Sequence, residues 1–389
     1  MKKIYIVFTF LILFICTKAY AFDFNVESKN IILYNMNDNN VIYEENSNEK
    51  VPIASLTKIM TAIVSIENID NLKDYVTITN KDLEGLTGYA KAGFKIGDKV
   101  TYEDLLYALM LPSGADAAQA LSNNIENFID KMNDKAKELK LTNTEFSNPV
   151  GMDDEHNHSS AKDVAKLLIY ALKNETFKKI FSANNYVTTN NIKLVKTTKK
   201  TAIANNIDIS NVTGTKTGYT GDAGYCLAST ATIKGIDYLM VTLASQKPIY
   251  HIIDTANIYK YYGDNYSYIK ILRKGKKLKT LKIKFGKKKT YDIIADKDIE
   301  KYLKNDTDLN KIEYIYSGID ELNYKIKKGD YLGKVKIKYD GKTLNTYKVY
   351  LNEKIEYIIH WFIIVPVVII ILLVLIKKKR KRRKKRKRV

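Results

Sequence analysis

The chain has 389 residues, with 64 Lys and Arg against 43 Asp and Glu, a formal net charge of +21. Twelve of the bases form the run 377–388 and three more lie in the first 21 residues, which leaves 49 bases against 43 acids in residues 22–376. A body so nearly balanced argues against nucleic acid as a partner, 45% hydrophobic content excludes a disordered chain, and two cysteines exclude a disulfide-built scaffold.

In chain order, residues 1–21 come first. Lys2 and Lys3 precede an apolar run that ends at Cys16, and Ala19-Tyr20-Ala21 fits a small-x-small cleavage pattern. This predicts a secretory signal peptide cut after Ala21. A lipoprotein reading through Cys16 is disfavoured by bulky Ile15. Residues 22–260 mix strand-like and helix-like segments. Ile31 to Tyr34 and Val41 to Tyr43 flank the turn Asn37-Asp38-Asn39. From Ser55 to Ile66 the apolar residues Leu56, Ile59, Met60, Ile63 and Val64 fall on one helix face. Thr101-Tyr-Glu-Asp104 and Ser160-Ala-Lys-Asp163 open two further helices. Tyr225 to Ile233 and Tyr238 to Ala244 flank Lys234-Gly-Ile-Asp237, a second hairpin. Helices mixed with antiparallel hairpins predict an α+β domain.

Residues 262–352 are dominated by Lys and Tyr in short alternating runs, such as Gly333-Lys-Val-Lys-Ile-Lys-Tyr339, and predict a small β-rich domain. Residues 358–376 are apolar except for His360. As a helix they would extend about 28 Å, enough for one C-terminal transmembrane helix. The polybasic tail 377–389 follows directly, which predicts a cytoplasmic tail and an extracytoplasmic body at the cell membrane. Anionic lipids then become partners of residues 358–388.

Three short stretches carry chemistry. Ser55-Leu-Thr-Lys58 puts a serine and a lysine on one helix face, where the lysine can take the hydroxyl proton if its pKa is lowered. The same spacing recurs at Ser47/Lys50, Ser159/Lys162 and Ser267/Lys270, so the spelling alone selects nothing. Context favours Ser55, at the start of an amphipathic helix. Lys216-Thr217-Gly218 occurs once, in a glycine-rich stretch, and offers a charge and a hydroxyl to a carboxylate. Pro112-Ser113-Gly114 sits between two helices, where Ser113 is either an N-cap or a site residue.

The blocks Pro52-Ile-Ala-Ser-Leu-Thr-Lys-Ile-Met-Thr-Ala62, Leu111-Pro-Ser-Gly-Ala-Asp-Ala-Ala118, Asn148-Pro-Val-Gly-Met152 with His158-Ser-Ser-Ala-Lys-Asp163, and Lys216-Thr-Gly-Tyr-Thr-Gly-Asp-Ala-Gly-Tyr-Cys226 together resemble the D-alanyl-D-alanine carboxypeptidases, the low-molecular-mass penicillin-binding proteins. Ile326-Lys-Lys-Gly-Asp-Tyr-Leu-Gly-Lys-Val335 resembles the β-rich domain that follows in this family. The resemblance implies a β-lactamase/transpeptidase-like catalytic domain, an antiparallel sheet with helices. It implies Ser55 as the acylated nucleophile, Lys58 as general base and Ser113 as proton relay. Lys216 would hold Lys58 neutral. Lys216, Thr217 and Gly218 would border the bound substrate, and the backbone N–H groups of Ser55 and Tyr219 would form the oxyanion hole. The implied partners are peptidoglycan stem peptides, with β-lactams as inhibitors, and no metal or organic cofactor is required.

One position departs from the family pattern. The middle motif ordinarily ends in asparagine, and here that residue is Ala115. Ser122-Asn123-Asn124 has the usual spelling but lies inside the following predicted helix. Two alternatives stay open at this stage: a β-lactamase-like hydrolase, and a weakened wall-binding protein. Residues 153–158 (Asp-Asp-Glu-His-Asn-His) read as a polar loop rather than a metal cluster, Cys226 as a buried small side chain, and Asp163 as a helix-start residue.

Overall fold

The computed structural model describes residues 22, 24–358 and 361–386. The expected signal peptide, residues 1–21, lies outside the described residues. The chain divides into two compact units, Met1–Asp264 and Asn265–Val389.

The first unit is built on a five-stranded antiparallel sheet. Its strands lie in the order Asn40–Glu45, Asn30–Asn35, Ile236–Ser245, Gly224–Ile233, Val212–Thr220. Every residue of Asn30–Asn35 is buried, as its near-continuous apolar run requires of a strand covered on both faces. The hairpin between the third and fourth strands is tighter than the sequence suggests. Lys234 and Gly235 both take positive φ, 52° and 79°, and Ile233 pairs directly with Ile236. A two-residue turn of this kind matches the strand twist, so Ile236 and Asp237 join the strand.

The central helix, Lys58–Asn68, is buried all round from Lys58 to Ser65. It was expected to begin at Ser55. Instead a single 3-10 turn, Ala54–Thr57, carries Ser55, and the α-helix starts at Lys58. Helices Tyr102–Met110, Ala115–Asn123 and Phe128–Glu138 pack around it. Both expected helix starts are capped. The Thr101 hydroxyl accepts from the Asp104 N–H (3.1 Å) while the Asp104 carboxylate accepts from the Thr101 N–H (2.9 Å). The Ser160 hydroxyl accepts from the Asp163 N–H (3.2 Å). The final helix, Tyr250–Asn265, is tied to the N-terminal segment, since Asp254 accepts from Glu27 and Ser28.

The second unit is β-rich. Its largest sheet is antiparallel, in the order Ile312–Gly318, Tyr331–Tyr339, Lys342–Tyr350. Leu332, Val335 and Ile337 point into a core with Leu281, Ile293 and Leu322, so the alternating lysines take the outer face. A helix, Trp361–Arg386, follows. Among the described residues no helix is long and apolar enough to cross a membrane. The expected span, residues 358–376, falls partly outside the described residues, at 359 and 360.

Thr101 tests the helix-capping account. Thr101→Ala should lower unfolding free energy by about 1 kcal/mol, read from a urea melt, with the far-ultraviolet circular dichroism spectrum of the folded protein unchanged.

Candidate active site

Ser55 sits on the 3-10 turn, one residue after Ala54, whose φ is 47°. That left-handed backbone is uncommon for a residue with a side chain and aims the turn at a cleft. Ser55, Tyr89, Ser113, Thr217, Tyr219 and Tyr225 are among the residues lining it. Lys58 begins the helix, one turn on. Its Nζ donates to Ser55 Oγ at 2.9 Å and to the Val150 carbonyl at 2.6 Å. That carbonyl is held in place by Asn148, whose Oδ1 accepts from the N–H groups of Val150, Gly151 and Met152. Gly151 has φ 88°, and a Cβ there would lie 2.0 Å from the Ala54 carbonyl oxygen. The Asn148-to-Met152 block is therefore a prop beneath the Ser55 turn.

Ser113 also has positive φ, 65°, and its neighbour Gly114 is the residue that caps helix Ala115–Asn123. The N-cap option for Ser113 is excluded by this. Its hydroxyl accepts from Lys216 Nζ at 2.8 Å, and Lys216 also donates to the Thr217 carbonyl at 2.6 Å. Lys216 comes from the edge strand Val212–Thr220. That strand crosses close over the nucleophile: a Cβ on Gly218 would lie 3.0 Å from both the Ser55 nitrogen and the Ile53 carbonyl oxygen. The fold thus brings Ser55, Lys58, Ser113, Lys216, Thr217, Gly218 and Tyr219 to one place from three separate segments.

Lys58 and Lys216 are each 1% exposed, and neither has a carboxylate within ion-pair distance among the described residues. Burial pulls the Lys58 amine down to about 7, against an upward pull from Asp116. Burial, then the charges of Lys58 and Lys196, hold Lys216 well below the ordinary lysine range. Repulsion between the two lysines is mutual, so a proton on one disfavours a proton on the other. The sequence reading named burial and a neighbouring cation together as causes that lower Lys58, and the resemblance implied Lys216 as that cation. In the structure burial is the larger cause.

Two contributors were not among the sequence-based candidates. Lys196 lies in the lysine-rich stretch 193–200, where nothing in the sequence marks it off from its neighbours. It is buried, with its amine on the carbonyls of Phe181 and Thr215, the latter beside Lys216. Asp116 is buried and accepts from the N–H groups of Ala92, Gly93 and Phe94. It thereby fixes the loop that carries Tyr89 and Ala90 to the cleft. The rejected candidates are not among the residues that line the cleft. Ser122 lies in the last turn of its helix, with Asn123 bonded to Asp82. Asp163 accepts from Asn143, Thr144 and Lys166. The thiol of Cys226 is fully buried and pushed up to about 12. Residues 153–158 form no metal-holding group among the described residues.

Residues 17–247 match the family model for D-alanyl-D-alanine carboxypeptidase. Residues 266–357 match the model for the penicillin-binding protein 5 C-terminal domain. The D-alanyl-D-alanine carboxypeptidase DacF of Bacillus subtilis is 30% identical over 328 residues, 82% of this chain and 83% of that protein. The Streptomyces K15 DD-transpeptidase structure aligns with TM-score 0.56 at 31% identity, over 62% of this chain and 98% of that one. Penicillin-binding protein 5 of Haemophilus influenzae aligns with TM-score 0.63 over 85% of this chain and 98% of that one; at 24% identity it shows the shared fold. The chain belongs to the D-alanyl-D-alanine carboxypeptidase family of serine-type hydrolases, with a transpeptidase-like catalytic unit and the family's C-terminal β domain.

Gly218 offers a sharp test of the site geometry. Gly218→Ala should push the edge strand off the Ser55 turn and slow penicillin acylation by roughly tenfold or more, while the far-ultraviolet circular dichroism spectrum stays unchanged.

Proposed function

We propose that the protein removes the terminal D-alanine from peptidoglycan pentapeptide stems through an acyl-enzyme on Ser55. The observation that carries this reading is the 2.9 Å contact between Ser55 Oγ and the buried amine of Lys58. A neutral Lys58 takes the Ser55 proton as Oγ attacks the carbonyl between the two D-alanines. The N–H groups of Ser55 and Tyr219 stabilise the oxyanion. Ser113, bonded to Lys216, relays a proton to the leaving amine of D-alanine. Lys216 and Thr217 hold the terminal carboxylate. Water then attacks the ester, releasing a tetrapeptide stem and restoring the serine. β-Lactams acylate the same serine.

Ala115 supports a second reading, a slow or purely binding form of the enzyme. It is 1% exposed, and its N–H donates to the Ala90 carbonyl, so this position gives the substrate no side-chain amide. Incubating purified protein with a pentapeptide stem separates the readings. Release of D-alanine supports the carboxypeptidase, penicillin labelling without D-alanine release supports the binding form, and repeated rapid penicillin turnover supports a β-lactamase.

The ionisation of Lys58 sets an expected pH profile. Protonated Lys58 cannot accept a proton, so acylation by labelled penicillin should be slow below pH 7 and rise with pH through about 7. Ser55→Ala should abolish labelling. A rising limb near the ordinary lysine value of about 10.4 would contradict a base pre-set by burial.

We further propose that residues 1–21 are a cleaved secretory signal, that residues 358–376 anchor the protein in the cell membrane, and that the tail 377–389 stays inside. The apolar run, Trp361 at its edge and the adjoining bases support this. The protein should resist extraction by high salt and alkaline carbonate and leave the membrane only in detergent. Release of full-length protein by carbonate would overturn the anchor.

A further inference from the structure

The chain leaves the β-rich unit at a fixed point. The Ile358 N–H donates to the Phe285 carbonyl at 2.7 Å, Tyr357 bridges Gly286, and the Lys287 N–H donates to the Glu356 carbonyl at 2.8 Å. The loop at residues 284–289 is thereby clamped to the last residues before the apolar run. This loop holds Lys284, Lys287, Lys288 and Lys289 around Phe285, which is 51% exposed and has φ 60°. A left-handed bulky residue is an outlier that turns its side chain out of the strand path. Lys287 pairs with Glu356 at 2.8 Å and Lys288 approaches Glu353 at 3.7 Å. With Lys354 the patch has five lysines against those two glutamates.

We propose that residues 284–289 are a second membrane contact, in which the lysines meet anionic phospholipid headgroups and Phe285 enters the interface. The proposal rests on the membrane reading of residues 358–376. If Trp361 marks the interface, Ile358 is three residues away, at most about 11 Å of extended chain. A headgroup layer is roughly 5–8 Å thick on each side of the hydrocarbon. The clamp to Ile358 therefore holds the loop against the lipid surface. An exposed aromatic among lysines suits that layer, with an apolar ring for the acyl boundary and amines for phosphodiesters. The occupant is the bilayer from which the chain itself emerges.

The test uses the mature protein, residues 22–389, in vesicles of phosphatidylcholine with 30% or no phosphatidylglycerol. An environment-sensitive fluorophore is placed by Phe285→Cys, and in a control by Leu309→Cys. Leu309 precedes the start of strand Ile312–Gly318, whose other end lies near the loop, a separation of roughly 20 Å. Wild-type protein, whose Cys226 is buried, gives the background. The label at position 285 should shift to the blue and be quenched by lipid-borne quencher, at least twice as strongly with phosphatidylglycerol as without. The label at 309 should do neither. The double variant Lys284→Glu, Lys289→Glu should lose the lipid dependence. Should that variant misfold, the lipid series alone decides. Trp361, the single tryptophan, reports the anchor independently. If Trp361 is quenched and the 285 label behaves like the 309 label, this proposal fails and the anchor stands. If Trp361 is not quenched, both fail.

Discussion

The site depends on the burial of an amine beside a serine. Taking an unpaired ammonium out of water costs on the order of several kcal/mol, so the Lys58 amine favours its neutral, proton-accepting form. The surroundings keep it that way. Lys58 meets a hydroxyl and a carbonyl rather than a carboxylate, and the buried acid Asp116 is occupied by four backbone N–H groups, those of Ala92, Gly93, Phe94 and Ala117. Burial, with the charges of Lys58 and Lys196, lowers the Lys216 amine in the same interior. The helix Lys58–Asn68, buried from Lys58 to Ser65, is what makes this possible, because it places its first residue inside the core.

Close backbone approach is the second constraint. The nucleophile turn is pressed from one side by Gly151 and from the other by Gly218, each at a distance where a methyl group would meet backbone. Ala54 and Ser113 accept left-handed conformations at the two places where side chains must converge, and Ile249 does so at the cleft wall. Strain of this kind persists only where surrounding contacts over-determine it. Here they are the Asn148 prop, the Asp116 loop and the strand that carries Lys216.

Much of this was legible in the sequence because it rests on local rules. Thr101 and Ser160 announce capped helices through hydroxyls placed three residues ahead of an acid, and both caps form. The lysines of Gly333-to-Tyr339 alternate because a strand alternates. The separated blocks around Ser55, Ser113, Asn148 and Lys216 were readable as a set, and the fold draws them together. Long-range facts were not readable. Nothing local says that Lys196 is buried while Lys199 and Lys200 are exposed, since that follows from where Phe181 and Thr215 lie in space. The start of the central helix shifted from Ser55 to Lys58 because the 3-10 turn is imposed by packing against Gly151 and Gly218. The hairpin at Lys234-Gly235 tightened because a lysine took positive φ, which composition does not forecast.

The protonation of Lys58 in the resting enzyme tests this account most directly. It is measured by NMR of protein carrying isotope-labelled lysine ε-carbons, titrated without ligand and compared with Lys58→Met. The account predicts a resonance that titrates near 7 and disappears in the variant. If every lysine resonance that the substitution removes titrates near the ordinary value of about 10.4, burial does not prepare the base, and the central claim is wrong.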